Sequence, residues 1–348
     1  MSELDSTPRA LPTHVHLVGG PPMWNGATLT PELRGPDDLY AILQVTDGTQ
    51  LPERAEDEDT NPAAVYGPLP DATHPADLAE WYFRGWWPHS PTDPTPRRHL
   101  ADYLLRKAGQ QETGWMNRHL GLILEVANST RDDDPEIAVR LHESLHSYLS
   151  RQDLMTAVDN AERAVAAARA LDRPAVLCDQ LLELSSAHRR RGDHSHAIAA
   201  AQEALDLEGI TPGQQALARY TLAMSLAWSG AHAPALKLYE QLHAHRGDLD
   251  EGLRGAVDNG LAWSLAGVGR PQEALPHAQR ALDWARESGD ERTLAAALDT
   301  VGQVQAATGN VADARSAYRE ALELYRSIGY RARTDQTLEV LHMLHQQG

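Results

Sequence analysis

The spacing of apolar positions changes character once along the chain. Up to about residue 96 the apolar residues come in short runs, THVHLVGG, GATLT, LYAILQV, AAVYG and EWYFRGWW, each bounded by Gly, Pro, Asp or Asn. Runs of that length between turn-forming residues read as strands. They predict a small, twisted, β-rich (α+β) domain over residues 1–87. PDDLYAIL and HPADLAEWYF also carry a helix-entry signal, Pro followed by acidic residues, so a helix is the competing expectation there. QLPERAEDEDTNP is acidic and apolar-poor and is expected to be a mobile loop. PHSPTDPTPRRHL then reads as a Pro-rich linker over residues 88–97, with Thr95 as N-cap and Pro96 in the first helical position. Composition shifts at the same place. Fifteen of the 21 prolines precede Arg97, with fifteen of the 49 acidic residues, four arginines and no lysine.

Beyond residue 130 the pattern becomes periodic. Alanine recurs at Ala157, Ala197, Ala235, Ala274 and Ala314, at spacings of 40, 38, 39 and 40. Seven residues after each stand Ala164, Ala204, Leu242, Ala281 and Ala321; five before each stand Gln152, Gly192, Gly230, Gly269 and Gly309. A fixed period of this length marks a repeat architecture. AWSLAGVGRPQEALPHAQRAL and GQVQAATGNVADARSAYREAL show the unit: a helix, a tight Gly turn, and a second helix whose small residues let its partner approach closely. Two helices over 98–130, RRHLADYLLRKAG and GWMNRHLGLILEVA, are expected to cap the array or form a degenerate unit, and 331–348 reads as a C-terminal capping helix.

Gly302, Gly309, Ala314, Tyr318 and Ala321 stand at the spacings of the small and aromatic signature positions of the tetratricopeptide repeat family, which this part of the chain resembles. Five units are visible over residues 134–330, at a period of about 40 rather than the family's usual value of about 34. The resemblance implies a mostly α chain, a right-handed α-solenoid of helical hairpins, and a protein or peptide segment bound in its concave groove. It also implies that the first helix of each pair lines that groove. By register, the lining residues are then His142, His146, Leu182, Ser186, Arg189, Tyr220, Met224, Asn259, Trp263, Asp299 and Gln303, with Arg190 and Trp228 at the edge. Tyr220, Met224, Trp228 and Trp263 would make an apolar centre flanked by arginines able to pair a carboxylate. Gap-filling between adjacent helices is the competing reading of the same aromatics. The N-terminal VHLVGGPPMWNGATL is similar to the openings of short β-rich proteins of high-GC bacteria and their phages, a likeness that names no activity.

HESLH, residues 142–146, has the form of a zinc-protease motif, with His142 and His146 on one helical face and Glu143 in reach of a metal-bound water. No H-x-x-G-x-x-H follows, and Leu141, Leu145 and Tyr148 around it occupy packing positions of the repeat. The expectation is therefore groove histidines in solvent, not a catalytic or metal site, with zinc proteolysis as the alternative. His14 and His16 share a strand face, but two ligands do not make a zinc site. Trp81, Trp86, Trp87 and Phe83 concentrate the aromatics of the N-terminal domain in one strand, as a small core or an interface requires, with an exposed sugar or peptide platform as the alternative.

The remaining chemistry narrows the field. A net charge of −18 opposes direct nucleic-acid or anionic-membrane binding, and the one basic cluster, Arg189 to Arg191, reads as a helix end. The chain has one cysteine, Cys178, in an apolar setting, and no phosphate-binding Gly-rich loop, G-x-S-x-G or paired-Cys spacing. No catalytic residue, cofactor or small-molecule substrate is expected. With no apolar stretch resembling a signal peptide at the start, the expected compartment is the cytoplasm. A scaffold or adaptor in bacterial regulation or complex assembly is the leading reading, and a receptor whose superhelix changes pitch on binding a signalling peptide is the runner-up.

Overall fold

The computed structural model describes residues 113–152 and 154–346, residues 101, 104, 105, 108 and 109, and the backbone of five strands. The strands are β1 (His14–Val18), β2 (Thr28–Leu29), β3 (Ala41–Gln44), β4 (Ala63–Gly67) and β5 (Leu78–Trp87). They form one sheet in the order β2-β1-β5-β4-β3, in which only β1 and β5 run parallel. A bulge at Val65 and Tyr66 shifts the register of β4 on β5. Thus AILQ and LAEWYFRGWW are strands where helix entry was the competing expectation. The acidic loop around residue 56, the linker 88–97 and the side chains of His14, His16, Trp81, Phe83, Trp86 and Trp87 lie outside the described residues.

Twelve helices follow among the described residues: α1 (Thr113–Thr130), α2 (Pro135–Gln152), α3 (Leu154–Arg169), α4 (Pro174–Arg191), α5 (His194–Asp206), α6 (Pro212–Trp228), α7 (His232–Ala244), α8 (Glu251–Gly267), α9 (Pro271–Ser288), α10 (Glu291–Ala307), α11 (Val311–Ser327) and α12 (Arg331–Gln346). The chain divides into two compact units, residues 1–172 and 173–348. The first holds α1 with the hairpin α2–α3. Ala101, Leu104 and Ala108, on one helical face, join their core with Met116, Leu122 and Leu145. The second holds four hairpins and α12.

The periodic glycines have a single cause. Gly192, Gly230, Gly269 and Gly309 all take left-handed φ values of 80 to 87° at the end of a first helix. At each, the residue after the glycine donates its N–H to a carbonyl five residues back, for example Asp193 to His188 at 2.9 Å and Arg270 to Leu265 at 2.8 Å. This is the closing bond that satisfies helix-end carbonyls, and it needs a residue without a Cβ penalty. Entry into α5 is fixed by Asp193 as N-cap, and entry into the first helices α6, α8 and α10 by a Thr211–Gln214 capping box, Asp250 and Asp290.

Small residues then bring the helices together. Ala157, Ala197, Ala235, Ala274 and Ala314 are all 0 to 4% exposed. Four rings of second helices sit on glycines of first helices: Tyr239 on Gly260, Trp284 on Gly255, Tyr318 on Gly302 and His232 on Gly267. A Cβ at Gly260 would lie 2.3 Å from the Tyr239 ring and one at Gly255 2.2 Å from Trp284, distances no packed core accepts. No helix among the described residues is long and apolar enough to cross a membrane.

Candidate functional site

Within the second unit the first helices α4, α6, α8 and α10 adjoin one another, and their common face collects the aromatic and cationic residues. Trp228, the last residue of α6, is the hub. The Trp263 ring of α8 packs edge-on against it at 5.7 Å, and the Arg189 guanidinium of α4 lies over it at 5.7 Å. On its other side Trp263 meets His232 at 5.5 Å. Tyr220 contacts Tyr239 edge-on at 6.0 Å, and its hydroxyl donates to Met224 Sδ at 3.6 Å. Trp228 was expected at the edge of the face and instead stands between three of its other members.

A further cation arrives from an unexpected helix. Arg333, in the first turn of α12, lies 4.9 Å over Trp228 and donates to the Asp299 carboxylate of α10 and, at 3.4 Å, to the Tyr325 hydroxyl. Packed helices stand about 8–10 Å apart, so three hairpin steps from α6 to α12 on a flat strip would exceed the reach of two side chains. The first-helix face of this unit is therefore concave. Arg292 over Tyr330 at 5.7 Å extends the cationic and aromatic lining. The register argument missed Arg333 because the capping helix was read for its apolar side. Its place in the first turn, two residues into α12, was visible, but its reach was not.

The electrostatics of this face are unusual. Burial lowers the pKa of Arg189 and of Arg190 and raises that of Asp299, Arg333 acting against the last shift. Arg189 donates from Nη2 to Ser186 Oγ at 3.3 Å and makes no ion pair among the described residues; its Nε is buried without an acceptor. The side-chain oxygen of Asn259 is likewise buried without a donor. A desolvated guanidinium and an unsatisfied amide oxygen beside two tryptophans form a surface that gains free energy from a partner supplying an anionic acceptor and a donor. Gln303 is half-buried on α10, whereas Leu182 is 8% exposed and offers the face little surface.

The first hairpin differs. His142 is 2% exposed, not in solvent as expected. Its Nδ1 is 2.8 Å from the Asn160 side-chain oxygen, and Asn160 Nδ2 donates back to the His142 carbonyl at 3.0 Å. The reason is the width of the buried face of α2, which takes in His142 beside Leu141 and Leu145 and so demands a polar partner from α3. Burial lowers the pKa of His142. His146 is half-buried, and neither residue belongs to a group of three converging His, Cys, Asp or Glu donors among the described residues. Cys178 is buried, and burial pushes its thiol up to about 11, as expected of a structural thiol.

No curated protein matches the chain by sequence. Among solved structures it is similar to BtubC (BKLC) from P. vanneervenii, with 18% identity, 56% of this chain and 92% of that one covered, and a TM-score of 0.39. A kinesin light chain with nearly identical repeats from Podosopora anserina gives 18%, 54%, 94% and 0.41. A Rap protein complexed with Competence and Sporulation Factor gives 10%, 73%, 76% and 0.42. Residues 253–327, which span α8 to α11 and their ring-on-glycine seams, match the sequence profile of the tetratricopeptide repeat family. The hairpins α8–α9 and α10–α11 are tetratricopeptide repeats.

Proposed function

We propose that the chain is a non-catalytic adaptor that binds a protein or peptide segment in the concave face of its second unit. Leu182, Arg189, Arg190, Tyr220, Met224, Trp228, Asn259, Trp263, Asp299 and Gln303 are the proposed contact residues. The observation that carries the reading is the combination of the buried Arg189 Nε, without an acceptor and stacked over Trp228, and the buried Asn259 Oδ1, without a donor and one helical turn before Trp263, with the Trp228–Trp263 pair itself. A segment with a carboxylate near an apolar side chain and an N–H donor satisfies all three, the aromatics giving affinity and the arginine charge selectivity. One buried cysteine and no paired-Cys framework accord with a cytoplasmic protein, and regulation or complex assembly in bacteria is the proposed setting.

The test is peptide display on the immobilised full chain, followed by fluorescence anisotropy with the selected peptides. A Trp228→Ala, Trp263→Ala variant with native circular dichroism should bind at least about tenfold more weakly, given the usual cost of truncating a central aromatic anchor. Equal affinity would sink the proposal.

A second reading is favoured by Arg333. A ligand whose carboxylate draws Arg333 from Asp299 would also free α12 from Trp228, so binding would change the curvature of the unit. That is a peptide-sensing receptor, and it predicts a ligand-dependent change in radius of gyration by small-angle scattering.

A further inference from the structure

On the seam where α7, α8 and α9 meet, three groups with metal-binding lone pairs converge: His243, Asp258 and His277 each offer one ligand atom within 4.8 Å of the other two. We propose that these three residues bind a divalent transition-metal ion of the zinc class.

Geometry comes first. Ligands about 2.0–2.1 Å from a tetrahedral ion stand about 3.3 Å from each other. His277 Nδ1 is 2.9 Å and His243 Nδ1 3.9 Å from Asp258 Oδ1, so small rotamer adjustments reach that spacing. Two imidazoles and one carboxylate match zinc or a neighbouring first-row ion, with a fourth position left for water.

Hydrogen bonding is the second, independent argument. His243 Nδ1 is buried and has no partner. His277 Nδ1 is oversubscribed: it lies 2.9 Å from Asp258 Oδ1, which needs it protonated, and 2.7 Å from Arg280 Nη2, which needs it bare. One nitrogen cannot do both. A cation placed among the three atoms, with both rings neutral and their single protons on Nε2, uses the spare lone pair of His243 and frees His277 from the conflict.

The obstacle is the pair of guanidiniums already on Asp258. Arg280 donates to Oδ1 at 3.0 Å and Arg246 to Oδ2. The Arg280 side chain is 43% exposed and can swing into water, and the −18 charge of the chain favours the added cation. Arg246 can stay on the opposite oxygen, where it orients the carboxylate as metal ligands are commonly oriented by their neighbours. The bound ion would tie the end of one repeat to both helices of the next.

The other group of similar composition, His188, Asp193 and His196, lacks these marks. Asp193 caps α5 through the His196 N–H and also accepts from Arg191 and Ser195, so its oxygens are engaged in holding the turn.

The test uses tag-free, full-length, chelator-treated protein titrated with zinc in competition with a chromophoric chelator, and Co²⁺ substitution read by visible absorption. Wild type should take up one equivalent with a dissociation constant of micromolar or lower, and its Co²⁺ form should show the intense bands of a four-coordinate site. His277→Ala and His243→Ala, each checked for native circular dichroism, should lose at least tenfold in affinity and the Co²⁺ bands. Arg280→Ala should retain or gain affinity, a result that an unfolded variant cannot imitate. His196→Ala should bind as wild type does. No stoichiometric uptake by wild type, or uptake that survives both His243→Ala and His277→Ala, or loss confined to His196→Ala, would each overturn the assignment.

Discussion

The two sides of the first helices differ in what their rings rest on. Toward their partner helices, rings seat on glycines, and His142 is matched by Asn160 and Ser185 Oγ by the Ala197 carbonyl at 2.7 Å, while the Nδ1 atoms of His232 and His243 are buried there without a hydrogen-bond partner. Toward the concave face, rings stack on cations and buried polar atoms of Arg189 and Asn259 are left unmatched. A buried polar group without a partner costs about 1–3 kcal/mol, so unmatched atoms set beside cations stacked on exposed-side rings are not arranged for stability alone. The difference separates residues that hold the hairpins together from residues held ready for something else.

The sharpest way to break the comparison is to fill a seam. Gly260→Leu would drive side-chain carbons into the Tyr239 ring, which is 1% exposed and hemmed by Tyr220, so it cannot yield. Urea denaturation should show a loss of about 3 kcal/mol, the upper end of overpacking costs. Gly121→Leu, on α1 where a Cβ meets nothing within 4 Å, should instead gain a few tenths to about 0.8 kcal/mol from helix propensity. Equal responses at the two sites would mean that the ring-on-glycine seams are not specified.

Next in size is the matched polar pair. Asn160→Ala leaves His142 buried with its ring nitrogen and its carbonyl each short of a partner, and the expected loss is about 2 kcal/mol in urea. Asn160→Asp should restore part of that loss on acidification, because a carboxylate beside the ring favours the imidazolium that burial disfavours. If both variants match wild type, the pair is incidental and His142 is free to serve another purpose.

How far the sequence revealed this division depends on the range of the chemistry involved. The repeat period was legible because it is written in local requirements: a left-handed turn at Gly309 and a small contact residue at Ala314 each constrain residues a few positions away. The concave ribbon followed from register for Arg189, Tyr220, Trp263 and Asp299, which the structure gathers on one face. His142 was misplaced because the edge of a buried face is set by the partner helix, and Asn160 stands 18 residues on. Arg333 was invisible for the same reason at larger scale, since its contact with Trp228 depends on curvature accumulated over three hairpins. His243, Asp258 and His277 fit no motif spacing and meet only through the stacking of α7, α8 and α9.

The smallest expected effect on stability belongs to Arg189→Met, and it tests the comparison from the open side. The substitution removes a cation stacked on Trp228, a contact worth about 0.5–2 kcal/mol. It also relieves a buried guanidinium whose Nε lacks an acceptor, a relief of about 1–3 kcal/mol, while keeping an unbranched apolar stem against the ring. The two nearly cancel, so the urea midpoint should move by less than about 1 kcal/mol in either direction. Binding should not be spared. A ligand carboxylate that pairs with this arginine loses a charge-assisted bond of about 1.5–3 kcal/mol, a ten- to hundredfold drop in anisotropy titrations with displayed peptides. Stability held and affinity lost is the signature of a residue kept for a partner. Stability lost with affinity unchanged would place Arg189 with the seams, and the concave face would then be packing like the rest.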